Sequence, residues 1–548
     1  MRRLPSELTG GPTLRPWVWV ALAVCAAVCL ACWGASTPTG SSPDDDFHLA
    51  SIWCADGPAQ GAVTGDVCTE VNGHRSPGTV VRVLPESVAL ADCSTWFSSI
   101  SACQAYKVSQ VCNDYVGPPS PVCAGTLAPG TGAHASNAGL YPDGFYKAMH
   151  LFASGDVTAS IVWMRIANAV LAIVLIGLAF LVSEGRSRSA YALTVLVGVC
   201  TPIGLVFIPS SNPTAWSVIG LGCLWLFVLA FMSTTSTWRR WLALIGALVA
   251  WVLPVSARAD SPALAILVIG GAAVVGNGGL RLSRRVVFPA ALLIASFAVF
   301  LVGSGTSVAQ SGISTVAAGD GSSPPAAITA SMAHNAAHPF SLFGRNLLGL
   351  WPYERDMFTE GSWTWVLPAA IILLLVAAIV AYRGWQRVAY AVMLVGSLAI
   401  PMYVAQRSHL SVSIWYMQRR YLFPLMIAVI GLALVGLARR GWVDRLAGHR
   451  WAVIALWALL SVIASMALHL EILRYTVGWH LYQFTFDEHR TWWWADAPFS
   501  PMAVWVTGSI AMAGLIALLL RVAVVSSLAE ASDRQVRTTI DPRESTAA

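Results

Sequence analysis

Twelve apolar segments, each about as long as a bilayer is thick, determine what this chain can fold into. Crossing the hydrocarbon core takes roughly 20 apolar residues in a helix, and a helix satisfies its own backbone hydrogen bonds in lipid. The pattern therefore predicts an all-α polytopic membrane protein. The predicted spans cover residues 16–34, 158–182, 189–208, 214–233, 240–256, 262–280, 286–303, 364–382, 388–405, 421–438, 451–470 and 501–521.

Arginines in the short connections predict the orientation of the chain. Because Lys and Arg collect on the cytoplasmic side, Arg2, Arg3 and Arg15 place the N-terminus inside. Every second connection should then be basic, and the sequence shows this alternation. Both termini are therefore predicted to be cytoplasmic. The protein is predicted to be a multi-pass plasma-membrane protein. The basic connections carry Arg186 and Arg188, Arg239 and Arg240, Arg281, Arg284 and Arg285, Arg383 and Arg387, and Arg439, Arg440, Arg445 and Arg450.

Composition supports the same class of protein. Of the 548 residues, 56% are hydrophobic and 11% charged, whereas soluble proteins carry roughly 25% charged residues. A purely soluble enzyme is therefore excluded. The lysines are Lys107 and Lys147, so the chain contains no Walker A loop, which requires a lysine within its glycine-rich turn. Any phosphorylated substrate must be bound by other groups.

The spans divide the chain into six parts. The first span is interpreted as a retained anchor, since its apolar stretch is long for a signal peptide and no A-x-A cleavage site follows. The long connections 35–157 and 304–363 and the shorter outer loops 406–420 and 471–500 fall outside the cytoplasm. The predicted parts are residues 1–34, 35–157, 158–303, 304–363, 364–521 and 522–548, the last a cytoplasmic tail.

The first outer loop contains an even number of cysteines. In an oxidising compartment such a set predicts up to three disulfides. A zinc site is the alternative, although no CxxC pair is present. The six residues are Cys54, Cys68, Cys93, Cys103, Cys112 and Cys123.

An acidic cluster follows the first span closely. Asp44, Asp45 and Asp46 lie between Pro43 and His48. Three adjacent carboxylates repel each other, which favours a proton acceptor or a cation site. A solvated turn after Pro43 is the alternative interpretation.

Arginines at or within the predicted membrane boundary suggest a binding site for a lipid phosphate. Arg165 lies one to two turns inside the second span, where a charge faces a polar cavity or an anionic partner, or else snorkels to the surface. Arg407 and Arg420, followed by Tyr421, lie on the outer face, against the positive-inside rule. The planar guanidinium suits a lipid phosphate; pairing with Asp or Glu is the alternative.

Several of these elements together resemble the bacterial membrane-protein family called domain of unknown function 2142, which is related to GT-C glycosyltransferases. The resemblance extends from about residue 40 to 500. The matching elements are Pro43 to His48, Tyr141 to Tyr146, Arg165 with Asn168, Asn212 with Pro213, and Arg420 to Pro424. In this chain Asp45 replaces the family's usual Glu, Asp143 a second Pro, and Arg419 the usual Gly.

The resemblance implies a GT-C-type fold and a glycosyltransferase that moves a sugar from a polyprenyl-phosphate donor to an envelope glycan or glycolipid on the outer face. Asp44 or Asp45 would be the general base. Arg420, with Arg165 or Arg407, would stabilise the departing phosphate, and His48 would orient the base or bind the acceptor.

We expect no cofactor, although a divalent metal bridging the aspartates is an open alternative. Membrane lipid is an expected partner and nucleic acid is not. The main rival function is a transporter or flippase of lipid-linked glycans, and a non-catalytic assembly or sensor subunit is a third. A transporter should show repeated halves with broken helices in corresponding places, and no such repeat is visible in the sequence.

Overall fold

Long apolar helices dominate the part of the chain that the computed structural model describes. That part comprises residues 14–38, 45–53, 55, 69–72, 80–84, 132–135, 141–154, 156–303, 366–407, 419–476, 484–486, 492, 494 and 498–540.

The helices before residue 304 are α1 (Pro16–Ala35), α2 (Asp45–Trp53), α3 (Gly144–His150), α4 (Val157–Val182), α5 (Gly185–Thr194), α6 (Pro202–Phe207), α7 (Thr214–Ser233), α8 (Thr237–Ala257), α9 (Ser261–Gly276) and α10 (Val287–Gly303). The later helices are α11 (Val366–Ala381), α12 (Gly384–Arg407), α13 (Arg419–Arg439), α14 (Trp442–Gly448), α15 (Arg450–Thr476) and α16 (Pro501–Ile540). A π-helical turn, Val195–Val199, follows α5, and a 3₁₀ turn, Arg284–Val286, precedes α10.

The predicted helical membrane architecture is confirmed, while the count of twelve spans is not. Among the described residues, eight helices are long and apolar enough to cross a membrane, and two shorter apolar helices, Ser261–Gly276 and Ile371–Ala381, accompany them. The eight are Pro16–Ala35, Thr158–Val182, Thr214–Ser233, Thr237–Ala257, Arg284–Val302, Tyr421–Arg439, Arg450–Leu473 and Pro501–Ser532.

The predicted span 189–208 is an interrupted helix. Helix α5 gives way to the π-helical turn Val195–Val199, and α6 begins at Pro202. Proline cannot donate a backbone hydrogen bond and suits the first turn of a new helix. The Thr201 hydroxyl accepts from the Gly204 amide as the N-cap of α6. A continuous apolar run therefore conceals a break that hydropathy does not detect.

Helix α7 is the centre of the bundle. All of its membrane-crossing window is buried, and α8, α9, α13 and α4 pack around it. Close contact with α8 depends on Gly220, where a Cβ atom would lie 2.7 Å from the carbonyl oxygen of Ala250. The outward faces of α4, α8 and α15 carry exposed Val, Leu, Ile and Trp side chains, as expected for helices in contact with lipid.

A small sheet lies in the predicted first outer loop. Strands β1 (Thr69–Asn72), β2 (Val80–Leu84) and β3 (Gly132–Ala135) form an antiparallel sheet in the order β1-β2-β3. The run Val-Val-Arg-Val-Leu at 80–84 carries the strand signal of β-branched residues. Helix α2 contacts β2 and β3, so the sheet borders the segment that holds the acidic cluster.

The first and last membrane helices are neighbours. Helix α16 packs along α1 and α15, and a Cβ atom at Gly508 would lie 2.9 Å from Cys32 Cβ. At the predicted cytoplasmic end, the Arg186 guanidinium pairs with Asp444 at 2.6 Å and its backbone amide donates to Glu530 of α16. Ser527 donates to the same Asp444, which fastens α5, α14 and α16 together.

We expect the six cysteines from Cys54 to Cys123 to be disulfide-bonded outside the cytoplasm; all six lie outside the described residues. Labelling of intact cells with a membrane-impermeant maleimide, with and without reductant, measures this. Label should enter only after reduction, because disulfides persist in oxidising compartments. Cys223, which is free and buried in α7, should stay unlabelled in both conditions. Labelling of the loop cysteines without reductant would contradict the predicted compartment.

Candidate active site at the predicted outer face

A buried arginine lies where three membrane helices meet. Arg258 follows the last residue of α8, and its side chain is 7% exposed. Its Nε and Nη2 atoms donate to the two carboxylate oxygens of Asp260 at 3.0 and 2.8 Å, in a bidentate pair. Burial lowers the pKa of Arg258, but the charge and hydrogen bonds of Asp260, together with the nearby Tyr141 and Tyr421, raise that pKa by more in sum. The guanidinium is a permanent positive charge.

The other two helices contribute their first turns to the same point. The guanidinium carbon of Arg258 lies 4.5 Å from the ring centre of Tyr421, near the start of α13. Its Nη1 atom donates to the hydroxyl of Thr214, the first residue of α7, at 3.5 Å. The Asp260 side chain remains 40% exposed, so the pair borders solvent. Tyr421, a predicted site residue, therefore contacts a cation, Arg258, that was not predicted from the sequence.

His48 joins this site from the first outer loop. Its side chain is 2% exposed, and Nδ1 lies 3.0 Å from the hydroxyl of Tyr146 in α3. The ring meets Tyr141 edge-on at 5.6 Å and stacks on Tyr146 at 6.0 Å. Tyr141 is in turn near enough to Arg258 to raise its pKa. His48, Tyr146 and Tyr141 therefore lie near Arg258 and Tyr421, and these five residues are here called the outer cluster.

Helix α3 is held against the end of α8, close to Arg258. A Cβ atom at Gly144 would lie 2.6 Å from Ser256 Cβ, so only glycine permits this approach. Phe145 is buried and meets Trp216 of α7 edge-on at 5.2 Å. His150 Nδ1 lies 2.8 Å from the carbonyl oxygen of Ile52, which ties α3 to α2. The packing of α3 therefore positions both His48 and Tyr141.

The predicted catalytic aspartates lie at the edge of what the structure describes. Asp45 is the first residue of α2, and Asp44 precedes the described segment. Because a helix rises 1.5 Å per residue, the backbone of Asp45 is about 5 Å along the axis from that of His48. The backbone of Asp45 is therefore about one helical turn from that of His48.

Arg165 fastens the chain that leads to these aspartates. Its side chain is 5% exposed. Its Nη1 atom donates to the carbonyl oxygens of Gly34 and Thr37 at 2.6 and 2.9 Å, and Nη2 donates to that of Pro38 at 2.7 Å. These contacts hold the exit of α1, and the phosphate contact expected of Arg165 stays a prediction. One turn along α4, Asn168 donates to the carbonyl oxygen of Ser210 and accepts from Trp216 Nε1.

We expect Arg165→Met to destabilise the protein by about 2–4 kcal/mol, because three buried carbonyl oxygens lose charge-assisted donors. Thermal unfolding in detergent, followed by tryptophan fluorescence, measures the shift. Arg281→Gln, a change at an exposed arginine near the end of α9, is the control and should leave the midpoint unchanged. An unchanged midpoint in Arg165→Met would show that these contacts do not stabilise the α1 exit.

The remaining predicted phosphate ligands are placed by their backbones alone. Arg420 is the second residue of α13 and immediately precedes Tyr421, so its backbone lies beside the outer cluster. Arg407 is the last residue of α12. Their side chains lie outside the described part of the structure.

Comparison with known proteins places the chain in a family. It matches the family described as predicted membrane protein (DUF2142) over residues 27–429. The chain belongs to the DUF2142 family. The matched region includes the acidic cluster, Arg165, Arg258 and Tyr421, and the expected family membership is confirmed. No curated protein matches the chain.

Two solved structures share a distant likeness with this DUF2142 protein. Both are of ArnT from Cupriavidus metallidurans, one bound to undecaprenyl phosphate and one in the apo state. The first has a TM-score of 0.37 and 14% identity, covering 94% of this chain and 78% of ArnT. The second has a TM-score of 0.35 and 15% identity, covering 93% and 77%.

Proposed function

We propose that this DUF2142 protein is a membrane glycosyltransferase that moves a sugar from a polyprenyl-phosphate donor to a cell-envelope acceptor at the outer face of the plasma membrane. The observation that supports it best is the buried cation of Arg258, which lies against the Tyr421 ring and near the contact between Tyr141 and His48. A fixed positive charge at the membrane boundary is what a departing lipid phosphate requires.

In the proposed reaction the bond between the sugar's anomeric carbon and the phosphate oxygen breaks as the acceptor hydroxyl forms its bond to that carbon. The proton of this hydroxyl passes to the carboxylate of Asp44, and the bond electrons leave with the phosphate. The products are the glycosylated acceptor and the polyprenyl phosphate, and Asp44 returns its proton to solvent. Asp45 supports the base from the first position of α2, and no metal is needed for a monophosphate leaving group.

The arginines stabilise the negative charge that develops on the departing phosphate. Asp260 fixes the orientation of Arg258 through Nε and Nη2 and offsets part of its charge, so Arg258 needs no reorganisation when negative charge develops on the phosphate. Arg420, next to Tyr421, is the second proposed phosphate ligand, and Arg407 the third. His48, fixed against Tyr146, orients the acceptor or the base. Arg165 holds the chain between α1 and the aspartates.

One assay separates this function from its rivals. The purified protein is incubated with radiolabelled polyprenyl-phosphate sugar and crude envelope glycan, and label is counted in the lipid and glycan fractions. Transfer to the glycan is expected, with recovery of polyprenyl phosphate. A flippase of lipid-linked glycans would instead move the labelled lipid between the leaflets of proteoliposomes without transfer, and an assembly subunit would do neither.

A further inference from the structure

An apolar cavity of about 390 Å³ lies at the opposite end of the bundle from the outer cluster. Helix α1 forms one wall from Trp19 to Leu30, and the C-terminal half of α4 forms another. The wall of α1 is about 16 Å long at 1.5 Å per residue. That is close to half of the ~30 Å hydrocarbon core, so the cavity has the depth of one leaflet.

Arginine and tryptophan side chains surround the mouth of this cavity. The guanidinium carbon of Arg188 lies 5.7 Å from the ring centre of Trp19, and its Nε and Nη2 atoms donate to the carbonyl oxygen of Ser183. Arg239 lies over Trp238 at 5.1 Å and pairs with Glu184. Tryptophan at this level is typical of a membrane interface.

The mouth has an excess of positive charge. Within the described ranges no carboxylate forms an ion pair with Arg188, and Arg239 Nε is buried without a hydrogen-bond acceptor there. Glu184 thus neutralises the charge of Arg239, and the charge of Arg188 has no such partner among the described residues. A phosphate group would supply both the missing acceptor and the missing charge, since guanidinium groups bind phosphate through paired hydrogen bonds.

We propose that this cavity binds an anionic phospholipid of the cytoplasmic leaflet, with one acyl chain along α1 and α4 and the phosphate at Arg188 and Arg239. The leaflet follows from the predicted orientation, in which these arginines are cytoplasmic, and basic pockets between helices on that side suit acidic head groups. The polyprenyl donor is a different lipid, because its phosphate is proposed at Arg258 on the other face. The inference is independent of sugar transfer.

A bulky side chain placed in the cavity tests whether an acyl chain binds there. Gly177 lines the cavity on α4, and a Cβ atom there would meet nothing within 4 Å, so Gly177→Phe is expected to fold. Native mass spectrometry with phosphatidylglycerol or phosphatidylcholine of identical acyl chains counts the retained lipid. Retention of phosphatidylglycerol should fall about tenfold. Gly270→Phe, at a position in α9 that is equally open, is the matched control and should retain lipid like the parent.

Removing the mouth charges tests the head-group part. The parent should retain phosphatidylglycerol about tenfold better than phosphatidylcholine. Arg188→Gln and Arg239→Gln should each reduce that preference, whereas Arg281→Gln should keep it. Parent-like retention in Gly177→Phe would overturn the proposal, and so would equal retention of the two lipids by the parent. Because lipid retention is the readout, these results do not depend on whether sugar transfer is observed.

Discussion

Asp44→Asn should lower sugar transfer by about 10²–10⁴-fold, the usual contribution of general-base catalysis. The amide keeps the size of the side chain but cannot take a proton from the acceptor hydroxyl. Binding of the lipid donor and expression should stay near the parent values, because the donor phosphate is held elsewhere. Turnover of labelled donor under saturating acceptor measures the first effect, and retention of labelled donor on the purified protein measures the second.

The neighbouring carboxylates provide the controls. Adjacent residues diverge by about 100° on a helix and alternate faces on an extended segment, so Asp44 and Asp45 cannot act identically. Pro43 fixes the backbone before Asp44, which favours Asp44 as the base, and Asp46→Asn should have little effect. Near-parent turnover in Asp44→Asn with loss in Asp45→Asn would move the base to Asp45. Full activity in both variants would reject the glycosyltransferase proposal for this loop.

Arg258→Gln should lower transfer by about 10²–10³-fold, the range found when one preorganised donor is removed from a developing negative charge. The effect should fall mainly on kcat, since the charge on the phosphate grows as the glycosidic bond breaks. Arg258→Lys should recover part of the rate, because it restores the charge without the planar fork. Measurement of kcat and KM for the lipid donor in both variants separates these contributions.

The fold should survive Arg258→Gln. Asp260 is 40% exposed and can therefore be hydrated when its partner is removed. Arg281→Gln provides the surface-arginine control, and Arg420→Gln should weaken use of the donor in the same assay. Parent-like kcat in Arg258→Gln, with a reduced rate in Arg420→Gln, would assign the phosphate to Arg420 and remove Arg258 from the site.

Much of the membrane architecture could be predicted because a single physical requirement, apolar length, determines it. The helices α1, α4, α7, α8, α13, α15 and α16 lie where the apolar runs place them. The interrupted segment around Val195–Val199 and Pro202 was missed, since hydropathy averages over the break. The strands at 69–72, 80–84 and 132–135 were not predicted, because each is only four or five residues long and shows too little alternation to indicate a strand.

Only part of the candidate site could be predicted, because residues that are far apart in the sequence meet there. His48 and Tyr421 were recognised from local motifs, but each lies against a residue far away in the chain, His48 against Tyr141 and Tyr421 against Arg258. Arg258 carried an available signal: it is an arginine on a predicted outer connection, against the positive-inside rule, like Arg407 and Arg420. The carbonyl contacts of Arg165 required knowledge of where α1 ends relative to α4.

The pairing of α1 with α16 has a consequence for biosynthesis. Helix α16 begins at Pro501, so at ~5–20 residues per second it is translated roughly 25–90 s after the ribosome passes Ala35. In the folded protein, Cys25 and Cys32 of α1 lie against Gly514 and Gly508 of α16. Until α16 is made, lipid or an insertion factor must cover this face of α1. Helix α1 therefore gains this partner only after α16 has been synthesised, and a chain truncated before Pro501 would leave this face of α1 without it.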